Sequence, residues 1–470
     1  MRVLKFGGTS VADAAAIQRV VAIVAAERSR SAAGGPVVVV SALGGVTDCL
    51  LEAAALARRG DAGHALELAS GIHARHRATL DGLLSEKAAA ETQAALDAVF
   101  LQLRAVIGAV AVLHETSPRS QDAIAAIGEL ASSRIVAAVL ADRGVPTAWA
   151  DPRALIVTDE GFTSAAPLMQ ETVVAVRDAL GPALSHGSAV VTGGFVGATR
   201  HGITTTLGRG GSDYSAAILG AALDADEIHI WTDVDGMLTA DPRVVDEPTL
   251  VPFLSFAEAA ELAYFGAKVL HPKTIQPAAA KNIPVRILNT FKPSAPGTLI
   301  ADGVCPEPSA VTALACKKGI TGITLTSTGM LMAYGYLRRL FEVFERYRTP
   351  VDVVSTSEVS VSVTIDDRTH LESIVSALST FADVSVSHPL ALIAVVGDRY
   401  ASEPAAFARV VKALETVPLR LVSQAIARRN VTLVIDEDDL PRAMARLHAE
   451  FFSRSADERA RLLTGATGQR

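Results

Sequence analysis

Through the first 300 residues, short runs rich in Val and Ile alternate with longer stretches in which Ala and Leu recur three and four positions apart. The runs VVVVSA (37–42), AVVTGGF (189–195), EIHIWTD (227–233) and VRIL (285–288) are each closed by glycine or polar residues. A short, uninterrupted apolar run suits a strand covered on both faces, so the alternation predicts βαβ units around a mainly parallel sheet. From Gly60 to about Gly144 the Ala, Leu, Glu and Arg pattern has a helical period, which predicts a helical lobe. The stretch ADGVCPEPSA (301–310) interrupts the periodicity with two prolines and reads as a linker. Beyond it, VDVVSTSEVSVSVTIDD (351–367) and LRLVSQAIARRNVTLVIDEDD (419–439) share VS and ID pairs, and each precedes a helical stretch. This weak internal repeat of strand, loop, strand and helix predicts two small α+β modules.

With 470 residues, half of them apolar and a fifth charged, the chain has the composition of a globular protein of two or three domains. A formal charge of −7 argues against a broad grip on nucleic acid, while leaving room for a small anion in a local pocket. Cys49, Cys305 and Cys316 have no metal-like spacing, and so sparse a count fits a reduced compartment. The N-terminus MRVLKFGG lacks a secretory core, and charges such as Glu129 and Arg134 punctuate the alanine-rich segments. The expectation is a cytoplasmic protein without a membrane helix. His73 and His76 lie three apart on a helical stretch with Arg75 and Arg77 and read as a wet helix face rather than a metal pair.

Candidate chemistry begins at KFGGTS (5–10), where an apolar strand runs into a lysine and two glycines. Bare glycines let backbone N–H groups approach a ligand closely, and Lys5 adds positive charge, so a phosphate suits both. The stretch TTTLGRGGSDYSA (204–216) concentrates hydroxyls, glycines and Arg209 just before an alanine-rich helix, whose N-terminus favours an anion. Arg209 has the fork geometry to clamp a carboxylate. Asp213 is suited to hold Mg²⁺ or to orient a lysine beside a transferring phosphate. WTDVDGMLTADPR (231–243) lacks the ligand spacing of a calcium loop and fits nucleotide contact better, and FGAKVLHPKT (265–274) offers Lys268 as a phosphate ligand.

These motifs occur in order together with GELASS (128–133), and as a set they resemble the aspartokinases of the amino-acid kinase superfamily over essentially the whole chain. The resemblance implies an amino-acid kinase fold over 1–300, with the helical lobe at about 60–144, and a linker over 301–312. It also implies ACT-like, ferredoxin-like modules over 313–394 and 395–470. The implied reaction moves the γ-phosphoryl group of ATP, with Mg²⁺, to the β-carboxylate of L-aspartate, opening the route to lysine, threonine and methionine. Position by position, Lys5, Gly7 and Gly8 match phosphate contacts, and Asp213 matches the residue that organises the catalytic lysines Lys5 and Lys268. Ser41, Thr47 and Phe195 match the surroundings of bound aspartate. Glu129 matches the partner of its ammonium, and Arg209 with Ser212 match the holders of its α-carboxylate.

Thr232, Asp233, Arg243, Lys268 and Val269 match nucleotide positions, as does Leu238, where many relatives carry a tyrosine. Ile203 stands where an arginine often precedes the threonines. Met330, Tyr336, Asp352, Thr356, Ser357 and Glu358 match effector contacts of the lysine-sensitive type, although Ala333 and Tyr334 replace a common serine and arginine. ACT modules usually pair, which implies a homodimer or a higher homo-oligomer. Two alternatives stay open: a kinase for glutamate, acetylglutamate or carbamate, and a catalytically silent amino-acid sensor.

Overall fold

The computed structural model describes residues 1–30, 35–266, 272–303, 310–330, 334–400, 403–424 and 430–452. They fall into two compact units. The first comprises Met1–Met237, Pro252–Phe256 and Val269–Gly303. It begins with β1 (Arg2–Phe6), α1 (Ala14–Arg30), β2 (Val37–Val40) and the helical lobe. The lobe consists of α2 (Val46–Arg58), α3 (Ala62–Leu80), α4 (Glu86–Leu113), α5 (Pro118–Ala125) and α6 (Ile127–Asp142). Then come β3 (Thr147–Ala150), β4 (Val157–Thr158), α7 (Met169–Ser185), β5 (Ala189–Gly193), β6 (Val196–Thr199), β7 (Thr204–Thr206), α8 (Gly211–Ala222) and β8 (Glu227–Thr232). The second unit includes Leu238–Val251 and Ala257–Lys268, so the short strand β9 (Phe253–Leu254) lies in the first unit while nearly all of α9 (Phe256–Tyr264) lies in the second. The first unit resumes with α10 (Pro272–Ala280), β10 (Val285–Asn289) and β11 (Thr298–Ile300).

An eight-stranded sheet in the order β3-β5-β2-β1-β8-β10-β11-β9 forms the centre of the first unit, and only the β10–β11 pair is antiparallel. All four expected strands are present as β2, β5, β8 and β10. Both neighbours of β1 run parallel to it, with Lys5 opposite Val39 on one side and Ile230 on the other. The chain moves to β2 on one side of β1 and later to β8 on the other, which makes the C-terminal end of β1 a topological switch point. In open parallel sheets such an end opens a crevice suited to ligands. A second sheet, β4-β6-β7, carries the 204–206 threonines.

By length and composition, α4 and the α5–α6 stretch are each apolar enough to cross a membrane, contrary to the sequence expectation. The α5–α6 window is 83% buried within the protein, and α4 buries Leu96, Phe100, Leu103 and Ile107 in the core of the first unit. The wet face expected for His73 and His76 is also corrected. His76 is fully buried, bonded through Nδ1 to the Ile72 carbonyl and packed on Phe100, while His73 stacks on the same ring and pairs with Asp97. Helical spacing had placed both histidines beside arginines, but the imidazoles turn inward where an aromatic ring receives them. Burial holds the His76 imidazole near 4, so it is neutral at physiological pH.

The second unit also contains β12 (Ala313–Thr326), α11 (Tyr336–Arg346), β13 (Val354–Thr356), β14 (Ser360–Ile365), α12 (Leu371–Leu378) and β15 (Asp383–Val396). It ends with α13 (Pro404–Ala413), β16 (Leu421–Gln424), β17 (Asn430–Asp436) and α14 (Leu440–Phe452). The anticipated repeat is visible as β13-β14-α12 and β16-β17-α14. Its strands flank the long antiparallel pair β12 and β15 in a six-stranded sheet, β13-β14-β12-β15-β17-β16. Two separate apolar cores result. One gathers Ile323, Leu325, Leu340, Phe344, Val361 and Ile374, and the other Leu314, Ile393, Val410, Leu433, Met444 and Leu447. β12 and β15 each contribute to both cores, with register shifts between Lys317 and Gly322 where they pass from one to the other.

Candidate active site

At the end of β1 the Lys5 side chain is almost fully buried and its ammonium meets the Asp213 carboxylate at 2.6 Å. Asp213 stands in the first turn of α8, where the backbone N–H groups have no partner within the helix. Gly7 donates its N–H to the Trp231 carbonyl, and a Cβ on Gly7 would sit 3.5 Å from the Lys5 ammonium. A side chain at Gly7 would therefore rest against the lysine, while Asp213 tethers the ammonium and fixes where its charge points.

The glycine pair at the end of β5 brings two further elements to this place. A Cβ on Gly193 would come within 3.1 Å of Glu129 in α6, and one on Gly194 within 2.7 Å of Ser212 in α8. Bare backbone is required for the approach at Gly194, and at Gly193 a side chain would press on Glu129. Phe195 follows at φ 63°, a conformation that non-glycine residues seldom adopt, held by its N–H to Ser215 and its carbonyl to Leu207. Ser41 donates its N–H to the Phe6 carbonyl, and Ser132 anchors the Ser41 carbonyl at 2.8 Å.

Lys5, Gly8, Ser41, Thr47, Glu129, Phe195, Arg209, Ser212 and Asp213 consequently line one cavity of about 650 Å³. Glu129 is the most unusual of them. Its side chain is buried, one carboxyl oxygen has no partner, and burial pushes it up to about 8 against the counteracting Ala42 amide and Lys5 charge. A carboxyl left half-satisfied at the wall of a cavity suits an incoming cation. Arg209, by contrast, is exposed. The cavity thus offers cationic and anionic groups together, as an amino acid with two acids and one ammonium requires.

Thr232 and Asp233 stand at the C-terminal end of β8, with the threonine hydroxyl bonded to the aspartate at 3.2 Å. Leu238 and Arg243 belong to the second unit, where Leu238 bridges Leu250 and Arg243 forks onto Asp241. Lys268 and Val269 lie outside the described residues, as do residues 304–309 of the linker, including Cys305. Asp48, Leu51, Gln121, Asp122 and Thr163 also line the cavity, although no motif in the sequence marks them. Among the described residues no cluster of three or more His, Cys, Asp or Glu is set to hold a metal.

The expected effector residues all lie in the second unit and are unevenly placed. Thr356, Ser357 and Glu358 are exposed, while Met330 packs against the first of the two cores beside Tyr336, whose hydroxyl is buried without a partner. Asp352 is nearly buried. It accepts from Tyr264 at 3.1 Å, faces Lys317 at 3.3 Å, and leaves its second oxygen unpartnered. Lys317 also reaches Asp366 at 2.5 Å. Burial pushes the Asp352 carboxyl up despite the lysine.

Residues 1–289 match the model of the amino acid kinase family, and residues 393–451 that of an ACT domain. The chain is 36% identical over 458 residues to lysine-sensitive aspartokinase 3 of Escherichia coli, covering 96% of this chain and 99% of that protein. It is 35% identical to the chloroplastic aspartokinase 1 of Arabidopsis thaliana, covering 96% and 80% of the two. The structure superposes on E. coli aspartokinase III in complex with aspartate and ADP (R-state) with a TM-score of 0.83, at 34% identity and covering 96% of this chain and all of that one. The same enzyme in complex with lysine and aspartate (T-state) gives 0.79 at 35% identity, covering 96% and 99%.

Proposed function

The chain belongs to the amino acid kinase family as an aspartokinase, and from that membership we propose how its cleft performs the reaction. An aspartate kinase moves the γ-phosphoryl group of ATP to the β-carboxylate of L-aspartate, giving 4-phospho-L-aspartate. That carboxylate is ionised near neutrality, so no general base is needed and the barrier is the approach of two anions. Lys5 stabilises the charge on the transferring group, and Asp213 keeps its ammonium aimed there. Glu129 receives the substrate ammonium, while Arg209 and Ser212 hold the α-carboxylate. The single observation that carries this reading is the Lys5–Asp213 pair sharing one cavity with Arg209 and a half-satisfied Glu129.

Mg²⁺ on a triphosphate needs only one or two protein carboxylates, and Asp213 is the carboxylate beside Lys5, so the donor set fits the ion. When bound, the ion would offset negative charge on the phosphates. Trapping the product with hydroxylamine tests the reaction and its substrate together. Aspartate gives a hydroxamate that depends on ATP, whereas glutamate and acetylglutamate give none; a reversed preference, or no turnover with any acid, overturns the proposal.

A pH dependence follows from Glu129. In the free enzyme its carboxyl titrates at about 8 because burial favours the neutral form, and a bound ammonium draws it back to the charged form. Aspartate binding therefore expels a proton at neutral pH. KM for aspartate should fall roughly tenfold per pH unit as pH rises toward 8, then level off. A flat profile between pH 6.5 and 8 in steady-state kinetics contradicts this role for Glu129.

In the second unit we propose a lysine site whose ammonium meets Asp352 in competition with Lys317. Millimolar lysine is expected to inhibit, and Asp352→Asn to raise the half-inhibiting concentration about tenfold or more through the lost charge. Kinetics indifferent to lysine would sink the assignment. The enzyme is taken to act in the cytoplasm as at least a homodimer, which sedimentation of the purified chain would check.

A further inference from the structure

We propose that Asp122, in α5, is a positioning residue for the aspartate pocket: it brackets the 159–166 loop to β7 and so fixes the backbone that continues through Gly208 to Arg209. This rests on the reading of the cleft given above. Asp122 is 1% exposed, and its carboxylate accepts three hydrogen bonds from distant parts of the chain. Oδ1 accepts from the Thr206 hydroxyl at 2.6 Å, and Oδ2 from the N–H groups of Thr206 at 3.0 Å and Thr163 at 2.9 Å.

The bracket holds a conformation that would otherwise relax. Thr163 sits at φ 71°, a left-handed setting costly for a β-branched residue and retained only where its surroundings insist on it. On the far side, the Ala165 N–H bonds to the Thr206 carbonyl at 2.9 Å, so the loop is fastened twice to β7. Gly208, two residues along from Thr206, packs so tightly on the loop that a Cβ there would lie 3.0 Å from the Ser164 hydroxyl. Asp122, Thr163, Thr206 and Arg209 share the wall of one cavity. Releasing the loop therefore loosens the segment that presents Arg209, without removing any group assigned to the phosphates. Burial pushes the Asp122 carboxyl up, against the three hydrogen bonds that favour its charged form.

Asparagine can preserve that geometry: its carbonyl accepts the two amides and its NH₂ donates to the Thr206 hydroxyl. Steady-state kinetics on Asp122→Ala should show KM for aspartate up about tenfold or more, with kcat and KM for ATP within roughly threefold, and Asp122→Asn within about threefold of the parent throughout. An unchanged aspartate KM in the alanine variant, or an asparagine variant as impaired as alanine, overturns the proposal. Should Asp122→Ala fail to fold, Thr206→Val and Thr206→Ser decide. Valine should raise aspartate KM about threefold while serine, keeping the bonded hydroxyl, should not, and equal values for the two refute the bracket. The hydroxamate product still identifies the acceptor in every variant, so failure of the bracket leaves the assigned reaction standing.

Discussion

Replacing Lys5 by alanine is expected to lower kcat by about 10³-fold or more while KM for aspartate changes only a few-fold, because a cation aimed at developing phosphoryl charge acts mainly in the transition state. The ammonium is held by Asp213 at 2.6 Å, so water cannot take its place with the same charge and orientation. For the same reason Lys5→Arg should not restore the rate, since a planar guanidinium cannot place its charge where the ammonium paired with Asp213 sits. Lys5 and Asp213 act largely as a unit, so in the double alanine variant the two losses should fall well short of adding. Stopped-time product assays on the three proteins, with circular dichroism to establish folding, check this. A Lys5→Ala enzyme within tenfold of the parent would remove Lys5 from the chemistry.

Substituting Glu129 has the second largest expected effect, and it separates binding from stability. Glu129→Ala should raise KM for aspartate about 10²-fold, since one side of a desolvated charge pair is lost, and Glu129→Gln should remove the pH slope as well as the affinity. Stability should move the other way. The folded carboxyl titrates at about 8 against an ordinary 4.5, so the native state binds more protons than the unfolded chain between those values. Ligand-free enzyme must then lose stability as pH rises through that window, with no further loss above it, and Glu129→Gln should flatten the loss. Thermal melts at pH 6 and pH 8, with and without aspartate, measure it. A parent enzyme equally stable at both, or a glutamine variant with the same slope, contradicts the account.

The strands of the first sheet were legible because a strand covered on both faces leaves nearly every position apolar, as VVVV at 37–40 does. The ends of those strands were legible for a different reason: a lysine beside paired glycines, or Arg209 among glycines and hydroxyls, is an uneconomical way to make a turn. Asp122 was not legible, because an aspartate in a short helix looks like any surface acid until its partners, 41 and 84 residues away, are brought to it. The same holds for Thr163, whose left-handed backbone leaves no mark on a threonine. The long pair β12 and β15 escaped notice because each serves two cores, so neither carries one alternating pattern over its length. Pattern also gave no sign that residues 257–264 of α9 would join the C-terminal sheet, with Glu258 accepting from Thr312 and the Asp398 amide, and Glu261 accepting from Asn430.

The most direct measurement of the central claim is a crystal structure of this chain with aspartate, Mg²⁺ and a non-hydrolysable ATP analogue. The aspartate ammonium is expected on Glu129, its α-carboxylate on Arg209, and its β-carboxylate oxygen roughly 3–3.5 Å from the γ-phosphorus with the Lys5 ammonium on that phosphate. Aspartate seated away from Glu129, or a γ-phosphate out of reach of Lys5, would contradict it.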